Sequence, residues 1–119
     1  MTEPLITKDI LVGMKNYINL NGWYQGFFYD TTAYIGGFKK AVEQGAPMCV
    51  MGAYQAVSNT RMFRDPDRYR RATMELTQLM EIDSSDDGAL EVANWNDQAG
   101  RTKQEVLDVL DKAVQKLDG

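Results

Sequence analysis

Thr102-Lys103-Gln104-Glu105-Val106-Leu107-Asp108-Val109-Leu110-Asp111-Lys112-Ala113-Val114-Gln115-Lys116-Leu117 is the stretch that decides the fold class. Its first four residues match the reciprocal capping box, in which a Thr hydroxyl and a Glu carboxylate three positions on satisfy each other's unpaired backbone N–H groups. Behind that start, Val106, Leu107, Leu110, Ala113, Val114 and Leu117 recur at core spacing, so the segment reads as an amphipathic helix with one buried stripe.

Working outward, the same helical signals return. Asp65-Pro66 is a start signal, because Asp caps and Pro suits the first helical position; Tyr69, Ala72, Thr73, Leu76, Leu79 and Met80 then form a stripe to about Glu81. Ala89 to Trp95 reads as a short helix begun at Asp86 or Asp87, after a polar loop from Asp83 to Gly88. Pro47 also reads as a first helical residue, followed by Met48, Cys49, Met51, Gly52, Ala53, Ala56 and Val57, a helix that is small and apolar on most sides. Such a helix sits centrally, with Gly52 and Ala53 letting a neighbour approach. Thr7 caps a first helix carrying Ile10, Leu11, Met14, Tyr17 and Ile18 on one face, with Lys8, Lys15 and Asn19 on the wet face and Asn21-Gly22 as the stop. Trp23 to Tyr29 holds five aromatics in seven residues and reads as an extended or looped cover over the core, with a short strand as an option. Phe38 to Gln44 reads as one or two helical turns. The expectation is an all-α single domain over 1–119, with four to five helices, an aromatic segment after the first, and residues 1–6 flexible.

Composition narrows the chemistry. The chain has 119 residues, 44% of them hydrophobic and 25% charged, an ordinary globular balance with one core. It has no histidine, which removes Ser-His and Cys-His nucleophile pairs, His-ligated zinc and the usual near-neutral proton shuttle. A single cysteine, Cys49, allows no internal disulfide; the sequence suggests no metal site and no cofactor. The uncharged run from Gly45 to Thr60 is too short and too interrupted to span a bilayer, and the N-terminus lacks a secretory pattern, so a cytoplasmic location without a membrane role is expected. A net charge of −4 disfavours general attraction to nucleic acid. The charge is nevertheless uneven: Arg61, Arg64, Arg68, Arg70 and Arg71 cluster, while Ala72 to Gly100 carries only acidic charges.

Three blocks stand together in the sequence: Gly22-Trp23-Tyr24-Gln25, Cys49-Val50-Met51-Gly52-Ala53, and Trp95-Asn96-Asp97-Gln98-Ala99-Gly100-Arg101-Thr102 leading into Glu105-Val106-Leu107. In order and spacing they resemble a family of small uncharacterised bacterial and phage proteins in which a Trp-Asn-Asp turn feeds a final amphipathic helix. The resemblance runs from about Gly22 to Leu117, its last block being the most specific. It implies a small helical fold; the family carries no assigned activity, so no mechanism comes with it. It directs attention to Trp95, Asn96, Asp97 and Arg101.

Each constellation has a structural and a functional account. At the Trp-Asn-Asp turn, Trp95 packs into the core, Asn96 takes the left-handed conformation and Gly100 turns the chain before Thr102 caps the last helix. Alternatively Asn96, Asp97 and Arg101 present polar groups at a loop, with Trp23 and Gln25 lining the same pocket. Cys49 is either a nucleophile near a helix start or a small buried hydrophobe. Asp83, Ser85, Asp87 and Glu91 imitate part of a calcium loop, but Asn94 stands where a bidentate carboxylate belongs. The arginines, with Phe63 and Tyr69 as stacking partners, suggest phosphate or nucleic acid, against a solvated face with an Arg71 to Glu75 pair. Tyr24, Phe28 or Tyr29 beside Tyr34 or Tyr54 would make a surface patch for a partner or for self-association.

The leading expectation is a non-enzymatic protein-interaction module, dimeric or bound to another protein. The second is a small-ligand or nucleotide-binding protein using Trp23, Gln25, Trp95, Asn96, Asp97 and Arg101. The third is a minimal enzyme with a carboxylate such as Asp97 as general base; no catalytic set is evident.

Overall fold

A computed structural model describes residues 4–83 and 87–118 of the chain. Among these are six helices: α1 (Lys8–Asn21), α2 (Phe38–Glu43), α3 (Val50–Ser58), α4 (Pro66–Leu79), α5 (Gly88–Asp97) and α6 (Lys103–Asp118). The fold is all-α, and the six-residue α2, read from sequence as a turn or two, takes the helix count past five.

Five boundaries follow from local chemistry. The Thr7 side chain accepts from Ile10 N at 3.2 Å, and Gly22 closes α1 with φ 111, a conformation costly for a residue with a Cβ. Asp65 and Asp87 cap α4 and α5 through Arg68 N and Leu90 N. The capping box forms as its spacing requires: Glu105 N–H donates to Thr102 Oγ1 at 3.2 Å and Thr102 N–H to Glu105 Oε1 at 3.1 Å.

Packing runs in the order α6, α1, α3, α5, α4, each helix against the next. Leu11, Met14 and Ile18 of α1 face Val106, Leu110, Ala113 and Val114 of α6 and the small residues of α3 in a single buried cluster. Leu117, placed by periodicity in the α6 stripe, lies past the end of this contact and is exposed. The apolar α3 is central: Val50 to Gln55 are all buried. Gly52 does admit a close neighbour, since a Cβ there would meet the Phe28 carbonyl at 2.9 Å.

Several expectations need correction. Pro47 does not begin α3. The Met48 peptide is engaged in an isolated parallel bridge with Trp23, donating to the Gly22 carbonyl and accepting from Tyr24 N–H, so the helix starts at Val50 with Cys49 as its cap. Asn96 is not left-handed but helical, in the last turn of α5; the turn conformation falls to Gly100 at φ 84. The Arg71 to Glu75 pair is not formed. Glu75 Oε1 instead accepts the backbone N–H groups of Leu5 and Ile6 at 2.8 and 2.9 Å, and both of those residues are buried. Tyr29 and Tyr54 are buried, so they form no surface patch; among the five aromatics of residues 23–29 the exposed one is Phe27. The calcium-like stretch includes residues 84–86, which lie outside the described residues.

Candidate functional site

The residues singled out around the Trp-Asn-Asp turn converge, and they converge on Asn96. Its side chain is 1% exposed. Oδ1 accepts from Trp23 Nε1 at 2.7 Å and from Val50 N–H at 3.1 Å; Nδ2 donates to the Tyr24 carbonyl at 3.0 Å and to Asp97 Oδ1 at 2.9 Å. A primary amide has two acceptor lone pairs and two N–H donors, so the capacity of Asn96 is fully used. Gln25 Nε2 donates to the carbonyl of Asn96 in the last turn of α5 and to that of Gln98 just past it, which also accepts Arg101 N–H. Asp97 Oδ1 also accepts Gly26 N–H at 2.9 Å. Residues 23–26 are thereby laced along the C-terminal end of α5.

Arg101 holds the other side of the junction. Its guanidinium lies 4.0 Å over the Trp95 ring, Nε donates to the Trp95 carbonyl, and the Nη atoms reach Gln98 Oε1 and the Glu105 carboxylate. A cation at this negative helix end is favourable, and the planar fork ties α5 to the start of α6. Trp95 is half-buried under that arginine rather than sunk in the core.

Beside this junction lies an apolar cavity of about 320 Å³. Its wall comes from four directions: residues 26–28, Cys49 and Met51 at the head of α3, Met62 and Tyr69 around the start of α4, and Ala89, Leu90, Ala93, Asn96 and Asp97 of α5. Of the six residues read as one binding set around the Trp-Asn-Asp turn, Asn96 and Asp97 reach this wall, and Trp23, Gln25, Trp95 and Arg101 do not line it. Phe27 and Leu90 line it while remaining 54% and 53% exposed, so apolar surface continues outward from the opening.

The polar groups of the cavity differ in what they have left to offer. Cys49 Sγ accepts Gly52 N–H at 3.2 Å, and burial pushes its thiol up to about 11. A neutral thiol without a histidine partner is not an activated nucleophile. Tyr69 is 4% exposed, and burial, with Cys49 and Tyr54 nearby, raises its phenol far above the ordinary value, so it remains an O–H donor. Among the described residues that hydroxyl has no hydrogen-bond partner. Asp87 and Asp97 are exposed, each with Oδ1 engaged by a backbone N–H. Among the described residues, no group of three acidic or thiol side chains converges to hold a metal ion.

Phe27 and Leu90 were not visible as site residues in the sequence, and Tyr69 and Asp87 were read there for other sites, a phosphate-stacking face and a calcium-like loop. Tyr69 and Leu90 carry the ordinary signature of helix faces, and only the tertiary approach of α5 to α4 turns those faces toward one space. That approach depends on Gly88, where a Cβ would meet the Thr73 backbone at 2.8 Å.

Fold and cavity together define a small all-α domain with an apolar recess beside a fully hydrogen-bonded helix junction. The chain belongs to the family described as a family of unknown function (DUF6197), which matches residues 2–116. No curated protein and no solved structure matches it. Among the described residues no helix is long and apolar enough to cross a membrane.

Proposed function

We propose that this domain is a protein-interaction module that seats one apolar side chain of a partner protein in the cavity between α3, α4 and α5, with a basic residue of the partner against Asp87 and Asp97. The observation that carries this reading is the continuity of apolar surface from the cavity onto exposed Phe27 and Leu90. A ligand filling only the cavity would leave those two side chains in water, whereas a protein surface covers both. The two carboxylates give the opening a negative charge and hence a sign for the partner. Trp23, Gln25, Asn96 and Arg101 serve in this reading as the frame, their polar groups being spent within the chain.

The test is a selection from a displayed peptide library, followed by calorimetric titration of the recovered sequences. Recovered peptides should share an apolar anchor next to Lys or Arg. Phe27→Ser or Leu90→Ser should weaken binding about tenfold or more, the worth of burying one large apolar side chain, with little change in thermal stability. A selection that yields no peptide sensitive to these substitutions refutes the reading.

A second reading, a small apolar ligand, is favoured by one observation: the Tyr69 hydroxyl stands at the cavity wall and makes no hydrogen bond among the described residues. Such a ligand would offer an acceptor to Tyr69, and Tyr69→Phe would weaken it while leaving peptide binding unchanged.

A further inference from the structure

A second cleft, about 480 Å³, opens between α2, α3 and the turn that precedes α4. Its charge is opposite in sign to that of the whole chain. Lys39, Arg61 and Arg64 line it against one carboxylate, Glu43, a local charge of +2 on a chain of net −4. We infer that this cleft binds a small phosphate monoester, with the phosphate among the three cations and the organic portion against Phe38.

The first support is that these cations are unspent. Elsewhere Lys8, Lys15, Arg101 and Lys116 are each paired with a carboxylate, while Arg68, Arg70 and Arg71 on α4 make no ion pair among the described residues but do not line this cleft. Among the described residues Lys39, Arg61 and Arg64 make no ion pair, and their side chains donate no hydrogen bond to the protein. Glu43 offsets one of the three charges, and an anion would offset the +2 that remains.

The second support is that the arrangement is held before any ligand arrives. The Arg61 guanidinium lies 4.2 Å over the Phe38 ring. Stacking occupies one face of the guanidinium and leaves its N–H edge available for the two-point contact that fits a phosphate. The turn carrying both arginines is fixed to α3 by Gln55, which is 3% exposed: its Oε1 accepts Met62 N–H at 3.1 Å and its Nε2 donates to the Met51 carbonyl at 3.3 Å. Within the turn, Arg64 N–H and Asp65 N–H both donate to the Arg61 carbonyl.

Charge decides the class of ligand. A phosphate monoester carries about −1.5 to −2 near neutral pH, which matches the cleft. A polyanion would meet the same cations but also the repulsion of a net acidic protein along its length. Phe38 and Val42 give an organic group apolar contact that free phosphate does not use.

The experiment is a titration of the isotopically labelled protein with phenyl phosphate, followed by amide chemical shifts. Shifts should concentrate in residues 38–43 and 59–64. Arg64→Gln, a change at an exposed residue, should weaken binding about tenfold, the worth of one hydrogen bond to a charged group. Glu43→Gln should strengthen it. The inference is overturned if those amides do not move, if phenol moves them equally, or if Arg64→Gln binds as wild type. It is overturned equally if a single-stranded oligonucleotide binds there more tightly than the monoester, which would make the cleft part of a polyanion surface.

Discussion

Replacing Asn96 with Ala should be the most damaging polar substitution in the chain, and the structure sets its size. The change deletes all four side-chain hydrogen bonds at a residue that is 1% exposed. Val50 N–H suffers most, since its residue is fully buried at the first position of α3 and, among the described residues, its hydrogen bond is to Asn96 alone; a buried donor left without a partner costs about 1–3 kcal/mol. Trp23 Nε1 and the Tyr24 carbonyl belong to half-buried residues that water reaches, and each loses about 1 kcal/mol. The total is about 3–5 kcal/mol, a large part of the about 5–15 kcal/mol that stabilises a typical domain. At about 4 °C per kcal/mol for a chain of this length, Tm should fall by about 12–20 °C. Asn94→Ala is the matched control: the same residue type in the same helix, exposed, expected to move stability by no more than about 0.5 kcal/mol. The assay is thermal unfolding followed by circular dichroism or calorimetry on both variants. A fall of less than about 4 °C for Asn96→Ala, or one equal to that of Asn94→Ala, would show that the junction bonds are replaceable by water and refute the reasoning.

Other expectations are as direct. Thr102→Ala should lower stability by about 1 kcal/mol in a denaturant titration, because Glu105 N–H loses its Oγ1 acceptor while the reciprocal bond from Thr102 N–H to Glu105 Oε1 stays; an unchanged midpoint would mean that the hydroxyl cap contributes nothing to the first turn of α6. Gly88→Ala should cost about 1–3 kcal/mol, since its Cβ would strike the α4 backbone at 2.8–2.9 Å. Gly100→Ala has open space but a φ of 84 and should cost about 1–2 kcal/mol; a neutral Gly88→Ala would refute the proposed contact between α4 and α5. Cys49 and Tyr69 both hold their protons more tightly folded than unfolded. Above the unfolded thiol value of 9.0 the unfolded chain binds fewer protons than the folded one, so Tm should be flat to about pH 9 and then decline, and a flat profile to pH 11 would contradict this. The same burial predicts that Cys49 labels slowly with a disulfide reagent at pH 8 in the native protein and rapidly in urea.

What could be read from the sequence is what local chemistry decides. Thr7, Asp65, Asp87 and Thr102 each meet an N–H three residues on, and Gly22 supplies a conformation that few residues adopt, so helix starts and stops needed no tertiary information. The reading failed where a distant partner outbids the local one. Pro47 is a good first helical residue, yet the bridge to Trp23 claims the Met48 peptide. Glu75 is correctly spaced for Arg71, yet two backbone donors about 70 positions away take its carboxylate. The junction residues were recognisable by their order, a Trp-Asn-Asp block and Arg101 feeding directly into the capping box at Thr102. Their arrangement was not, since it depends on where residues 23–26 lie in space.

The position of Asn96 explains why an amide stands there. Cys49 is a weak cap for α3, since sulfur is a poor acceptor, and it serves only Gly52 N–H. The first N–H of the helix proper, at Val50, is buried and has no acceptor nearby in sequence, so it is satisfied from the end of α5 by Asn96 Oδ1. That same side chain must also donate to the Tyr24 carbonyl, which a carboxylate could not do at neutral pH and a hydroxyl could not do while accepting twice and contacting Asp97. One residue therefore closes the head of α3, the tail of α5 and the aromatic segment between them. These are three of the segments that wall the apolar cavity. A ligand that fills the cavity thus presses on elements already tied to the core, and its binding free energy should register as a rise in global stability rather than as the ordering of a loose loop.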